Sequence, residues 1–102
     1  MPAVASYSVL IHGGPGGHQN HRALIQLHDS AGDTLALLRF HDADGRCEPD
    51  SETGGIIRMH LPAILFQGVL DLLRQEKPVE IHFEQGRACL AAIGAPVGEG
   101  ER

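Results

Sequence analysis

Five short stretches of this chain alternate along a period of two, and one longer stretch follows a helical period instead. Ser6 to His12, Arg22 to Asp29, Thr34 to His41, Gly55 to Leu61 and Val79 to Glu84 read this way, and Ala88 to Ile93, reached through a tight turn, is expected to be the last strand. Successive side chains of a strand point to opposite faces, so each segment is expected to be a strand with one buried side. The inward sets are Tyr7, Val9 and Ile11, then Ala23, Ile25 and Leu27, then Ala36, Leu38 and Phe40. Ile57, Met59 and Leu61, followed by Val79, Ile81 and Phe83, continue the pattern. The exception runs from Pro62 to about Glu76. There Gln67, Asp71, Arg74 and Gln75 recur at helical spacing, and Pro62 suits a first helical turn.

The expected fold class is therefore α+β: a twisted antiparallel sheet in the order β-β-β-β-α-β-β, with one amphipathic helix packed on one face. At 102 residues the chain makes a single domain, residues 1–102. Mobile loops are expected at 13–21 and 42–55, and a frayed tail at 94–102. "DSAGD", Asp29 to Asp33, and "EQGR", Glu84 to Arg87, read as tight turns. The apolar arc of the helix is wider than one sheet contact requires. The excess implies a second contact surface, with a homodimer as its simplest source and a covering loop as the other.

Charge and composition exclude several classes. The net charge is −5, against a strongly cationic nucleic-acid or membrane binder. Much of that charge sits between 42 and 53, where five carboxylates face Arg46 alone. Taking Asp42 as the first calcium ligand puts Gly45 at the wrong place for an EF-hand loop. Of the two cysteines, Cys47 and Cys89, neither belongs to a CxxC pair, which fits free thiols or one long-range disulfide. The first residues, MPAVAS, lack the basic start of a signal peptide, and no stretch reaches the ~20 apolar residues of a membrane span. A cytoplasmic protein without a membrane partner is expected.

"VLIHGGPGG", Val9 to Gly17, resembles the oxyanion-hole segment of the prolyl iminopeptidase branch of α/β hydrolases. Those enzymes need a nucleophile on a G-x-S-x-G elbow, and none exists here. No spacing singles out a catalytic pair, so no catalytic residue is named and a non-enzymatic protein is expected. Two binding patterns remain. Arg22, His28, Arg39, His41, Arg58 and His60 fall on the outward side of their strands and together make a cationic face for an anionic ligand. His12, His18 and His21 flank the glycine-rich loop and could hold Zn or Ni, since imidazole suits both ions.

The run of strands ending in "IIRMHLPAILFQGVLDLLRQ", Ile56 to Gln75, resembles in topology the single-stranded-DNA-binding transcriptional regulators, the Whirly and positive-coactivator-like fold. The resemblance covers residues 6 to 76. It implies a curved sheet, dimers or higher oligomers, and single-stranded nucleic acid as partner. The expectation is thus a small binding or regulatory module for single-stranded nucleic acid, with a histidine-dependent metal-binding protein as the alternative.

Overall fold

The computed structural model describes residues 3–14, 21–42, 49–75 and 78–92. The chain forms β1 (Ser6–Ile11), β2 (Ala23–His28), β3 (Thr34–His41), β4 (Ser51–Thr53) and β5 (Ile56–Pro62). A 3₁₀ turn (Ala63–Leu65), the helix α1 (Phe66–Gln75), and the strands β6 (Val79–Glu84) and β7 (Arg87–Ala92) follow. The first five strands make one sheet in the order β1-β2-β3-β5-β4, and β6 with β7 makes a second.

The alternation does what its period demands. Ala23, Ile25 and Leu27 of β2, Ala36, Leu38 and Phe40 of β3, and Ile57 and Leu61 of β5 are buried on one side of the large sheet. Ile81 of β6 and Ala88 of β7 close over them. Large and small residues interdigitate: Phe40 lies between Ala23 and Leu61 in register. The helix adds Phe66, Val69, Leu70 and Leu73 to the same core, and none of its residues is fully buried. It lies along the rim of the core, with its Gln67 side chain donating to Asp71 at 3.1 Å on the solvent side.

Both tight turns use the expected chemistry. Gly32 takes φ +88°, and the Asp29 carboxylate accepts from the amides of Ala31 and Asp33 at 3.0 and 2.9 Å. Gln85 and Gly86 share positive φ, as a hairpin turn of the I′ kind requires.

Four expectations need correction. The large sheet is mixed: β5 runs parallel to β3, because alternation specifies which side chains face inward but carries no strand direction. The last two strands form their own sheet. It is tied to the large one by an Ala3–Glu80 bridge and by the Val4 amide donating to the Val79 carbonyl at 2.8 Å. The acidic segment is more than an excursion, for Ser51–Thr53 is a strand turning into β5 through Gly54 and Gly55, both at positive φ. Residues 43–48 of that segment, like 15–20 of the first loop and the whole tail 94–102, lie outside the described residues. Finally, the helix starts four residues late. Pro62 keeps an extended φ/ψ of −67°/146° and stays paired with His41, so the proline expected to open the helix instead ends the strand.

β1 also differs from its expected half-buried pattern. Tyr7 is half-buried, but Val9 and Ile11 are exposed, because β1 is an edge strand that the helix does not cover.

A histidine row at one end of the sheet

Strand register brings four histidines together. Ile11 pairs with Ala23, Ala23 with Phe40, and Phe40 with Leu61. His12, His41 and His60 each lie one residue from this row and His21 lies two residues before it, so the end of β1, the start of β2, the end of β3 and the end of β5 converge. The ring centroids of His12 and His21 are 5.0 Å apart, edge to face. His21 and His41 are 6.4 Å apart, again edge to face, and His41 and His60 stack at 5.1 Å. His41 Nε2 and His60 Nδ1 face each other at 2.9 Å. One of those nitrogens must carry the proton and the other the lone pair, so the contact survives only while the pair holds no second charge.

His21 and His41 are only 4% and 2% exposed. Two carboxylates frame the row. Asp50 accepts from the His60 amide at 2.8 Å and from the Ala88 amide at 3.0 Å, which fixes the backbone beneath the His60 ring and joins β5 to β7. Asp42 forms a two-point ion pair with Arg22, Nε to Oδ1 at 3.1 Å and Nη2 to Oδ2 at 2.8 Å. The remaining reach of Arg22 goes to the carbonyls of His12 and Gly14, at 2.6 and 2.9 Å. Arg22 thus staples the exit of β1 to the end of β3, in the fork geometry that guanidinium favours.

The hydrogen bond from Arg22, reinforced by its charge, holds the Asp42 carboxyl below its usual pKa and raises that of Arg22. A carboxylate with a lowered folded-state pKa stabilises the fold above its unfolded value of ~3.9 and loses that contribution as pH falls further. Asp42→Asn is therefore expected to lower the unfolding midpoint at pH 7, with a smaller difference from the parent at pH 3. Thermal melts at the two pH values check it. Both side chains are partly solvent-exposed, so the effect is small.

The expected site residues are redistributed. Of the cationic face, His41 and His60 belong to the row, and Arg22 is committed to Asp42 and two carbonyls. His28 ends β2 with its Nε2 3.3 Å from the Ser8 hydroxyl. Arg39 and Arg58 stay on the outer side of β3 and β5, half-buried. Arg39 Nε is buried without a hydrogen-bond partner among the described residues. Arg58 makes only long contacts to the carbonyls of Thr53 and Ile56, at 3.5 and 3.4 Å. Of the metal set, His12 and His21 come together, and His18 lies outside the described residues. Cys89 is an exposed thiol on β7, and Cys47 is outside the described residues.

Sequence reasoning split one cluster into two. It grouped His12 and His21 by nearness along the chain and His41 and His60 by strand alternation. Only the register shows that both pairs meet. Asp50 was missed because a carboxylate in an acidic segment carries no mark of its two amide partners.

A cavity of about 650 Å³ opens at the far end of β1, lined by Val4, Ala5, Ser6, Tyr7, Leu73, Pro78 and Val79. Among the described residues its lining carries no imidazole, carboxylate or ammonium group. No helix among the described residues is long and apolar enough to cross a membrane. Neither a protein-family model, nor a curated protein, nor a solved structure matches this chain.

Proposed function

We propose that this protein is a small metal-binding module whose site is the histidine row and whose ligand is a first-row divalent ion of the Zn or Ni type. The observation that carries the reading is the convergence of four imidazoles from four separate strand ends. A tetrahedral ion bound at ~2.0–2.1 Å by two imidazoles holds their ring centroids roughly 5 Å apart and their nitrogens roughly 3.3 Å apart. The centroid steps of 5.0 and 5.1 Å match that spacing. His41 Nε2 and His60 Nδ1, at 2.9 Å, need to part by only a few tenths of an ångström. Among the described residues no three His, Cys, Asp or Glu side chains aim at one point, so binding requires the His12 or His21 ring to turn toward the pair. Hydrogen bonds to the backbone at Asp50 and Arg22 would keep the strands fixed while the rings turn, the kind of outer support metal sites use.

Equilibrium dialysis of the untagged chain against Zn²⁺ and against Ni²⁺, read by elemental analysis, tests this. One bound equivalent is expected, with affinity lost at least ~10-fold in His41→Ala and in His60→Ala. His28→Ala lies outside the row and should bind as the parent does. A folded protein that retains neither ion at micromolar concentration would refute the reading.

The second reading is single-stranded nucleic acid on the outer sheet face. It is supported by Arg39 and Arg58 on neighbouring strands and by the resemblance of the strand-to-helix join to Whirly-like regulators. It has little aromatic surface to work with: Phe40 is buried, and Tyr7, Phe66 and Phe83 pack against the core. Anisotropy of a labelled oligonucleotide at low salt decides it. In both readings the protein is a non-enzymatic, cytoplasmic homodimer.

A further inference from the structure

We infer that β1 is the dimerisation edge and that its occupant is β1 of a second copy, paired antiparallel about Val9. Three observations lead there. First, β1 exposes three consecutive large apolar residues, Val9 at 38%, Leu10 at 52% and Ile11 at 67%. An edge strand of this kind is normally blunted by lysine, proline, a charge or a covering element. Ser6–Ile11 contains none of these blunting residues, and among the described residues nothing covers the apolar half of the strand.

Second, the two edges of the large sheet differ in what they offer a second copy. The β4 edge is three residues long and carries the exposed Glu52, whose charge would oppose its own image. The β1 edge is six residues long and has no charged side chain. Two copies of a chain with net charge −5 repel each other at most places, and β1 is an uncharged seam.

Third, the hydrogen-bond phase suits a twofold axis. The His12 amide donates to the Arg22 carbonyl at 2.8 Å, and the β1–β2 register continues unbroken from Ile11–Ala23 to Ser6–His28. Inward and outward backbone groups alternate in an antiparallel ladder, so the amides and carbonyls of Tyr7, Val9 and Ile11 point to the open edge. Centring the axis on Val9 pairs Val9 with its own copy and Tyr7 with the Ile11 of that copy. Each outward donor then meets an acceptor, and each exposed apolar side chain on that face gains an apolar neighbour. A symmetric contact of this sort closes as a dimer and joins the two sheets into one continuous sheet.

Sedimentation velocity and amide hydrogen exchange of the unmodified chain test this together. A dimer of 10.9 kDa chains is expected at tens of micromolar, with the Tyr7, Val9 and Ile11 amides protected. Dilution to monomer should release that protection. Val9→Lys places two like charges side by side across the axis and should raise the dimer dissociation constant ~100-fold. Ile64→Lys, on the exposed 3₁₀ turn, should leave it unchanged. A monomer at tens of micromolar overturns the inference. So does a dimer whose three outward amides exchange freely, or one dissolved by Ile64→Lys. The exchange result needs no variant, so poor folding of Val9→Lys would not obscure it.

Discussion

Phe40→Ala is expected to remove about 3–5 kcal/mol of folding stability, the range measured when a buried aromatic is cut back to alanine. Phe40 is fully buried in β3, the middle strand of the large sheet. Its ring meets Phe66 of α1 edge to face, with centroids 5.1 Å apart and planes at 86°. It is therefore one of the contacts that fix the helix to the sheet, beside those of Val69, Leu70 and Leu73, and an edge-to-face pair adds roughly 0.5–1.5 kcal/mol to the area it buries. Its register partners Ala23 and Leu61 are held in the ladder and cannot close over the void. A domain of this length has ~5–15 kcal/mol in all, so the substitution takes a large share of it. Urea titration followed by far-ultraviolet circular dichroism checks it: the midpoint should fall while the slope stays constant. Phe40→Leu keeps most of the volume and should cost about 1–1.5 kcal/mol. A loss below 1 kcal/mol in Phe40→Ala would mean that the contacts of Val69, Leu70 and Leu73 suffice to anchor the helix.

The inward position of Phe40 was visible in the sequence, its contact with Phe66 was not, and what was hidden follows a physical rule. Period-two alternation reports which side chains a strand buries, so the inward faces of β2, β3, β5 and β6 could be read directly. It reports neither direction nor neighbour. The parallel pairing of β3 with β5 depends on the connection between them, where Ser51–Thr53 is too short and too polar to show a pattern. The separate β6–β7 sheet was hidden for the same reason. Proline was ambiguous: its fixed φ serves the end of a strand as well as the start of a helix, and Pro62 does the former. The candidate site was half legible. Histidine content and spacing drew attention to all four of these residues, but the row that joins His12 and His21 to His41 and His60 exists only once the register is set. Arg22 shows the opposite error. Its outward position suggested a ligand contact, yet Asp42 and the carbonyls of His12 and Gly14 take up its guanidinium.

Asp50→Ala should be the most damaging polar substitution. β4 ends at Ser51 as the chain is followed backward, and β5 continues past it to His60 and beyond. The Asp50 carboxylate takes over there, with one oxygen on the His60 amide and the other on the Ala88 amide of β7. Truncation leaves two amides without acceptors at the seam between the two sheets. Ala88 is buried, so water cannot readily replace the lost partner on that side. Hydrogen bonds to a charged group contribute ~1.5–3 kcal/mol each. The site is only part-buried, which argues for the low end, about 2–4 kcal/mol for the pair. At several degrees per kcal/mol for a domain of this size, the melting temperature should drop by roughly 10–20 °C. Asp50→Asn retains one acceptor and turns an N–H toward the other amide, so it should recover no more than about half of the loss. The same clamp sets the backbone under His60. In whichever Asp50 variant remains folded, ¹⁵N resonances of the His41 and His60 rings should shift together, because their 2.9 Å contact depends on that backbone position. An unchanged histidine spectrum in a destabilised Asp50 variant would show that the carboxylate joins the sheets without positioning the row.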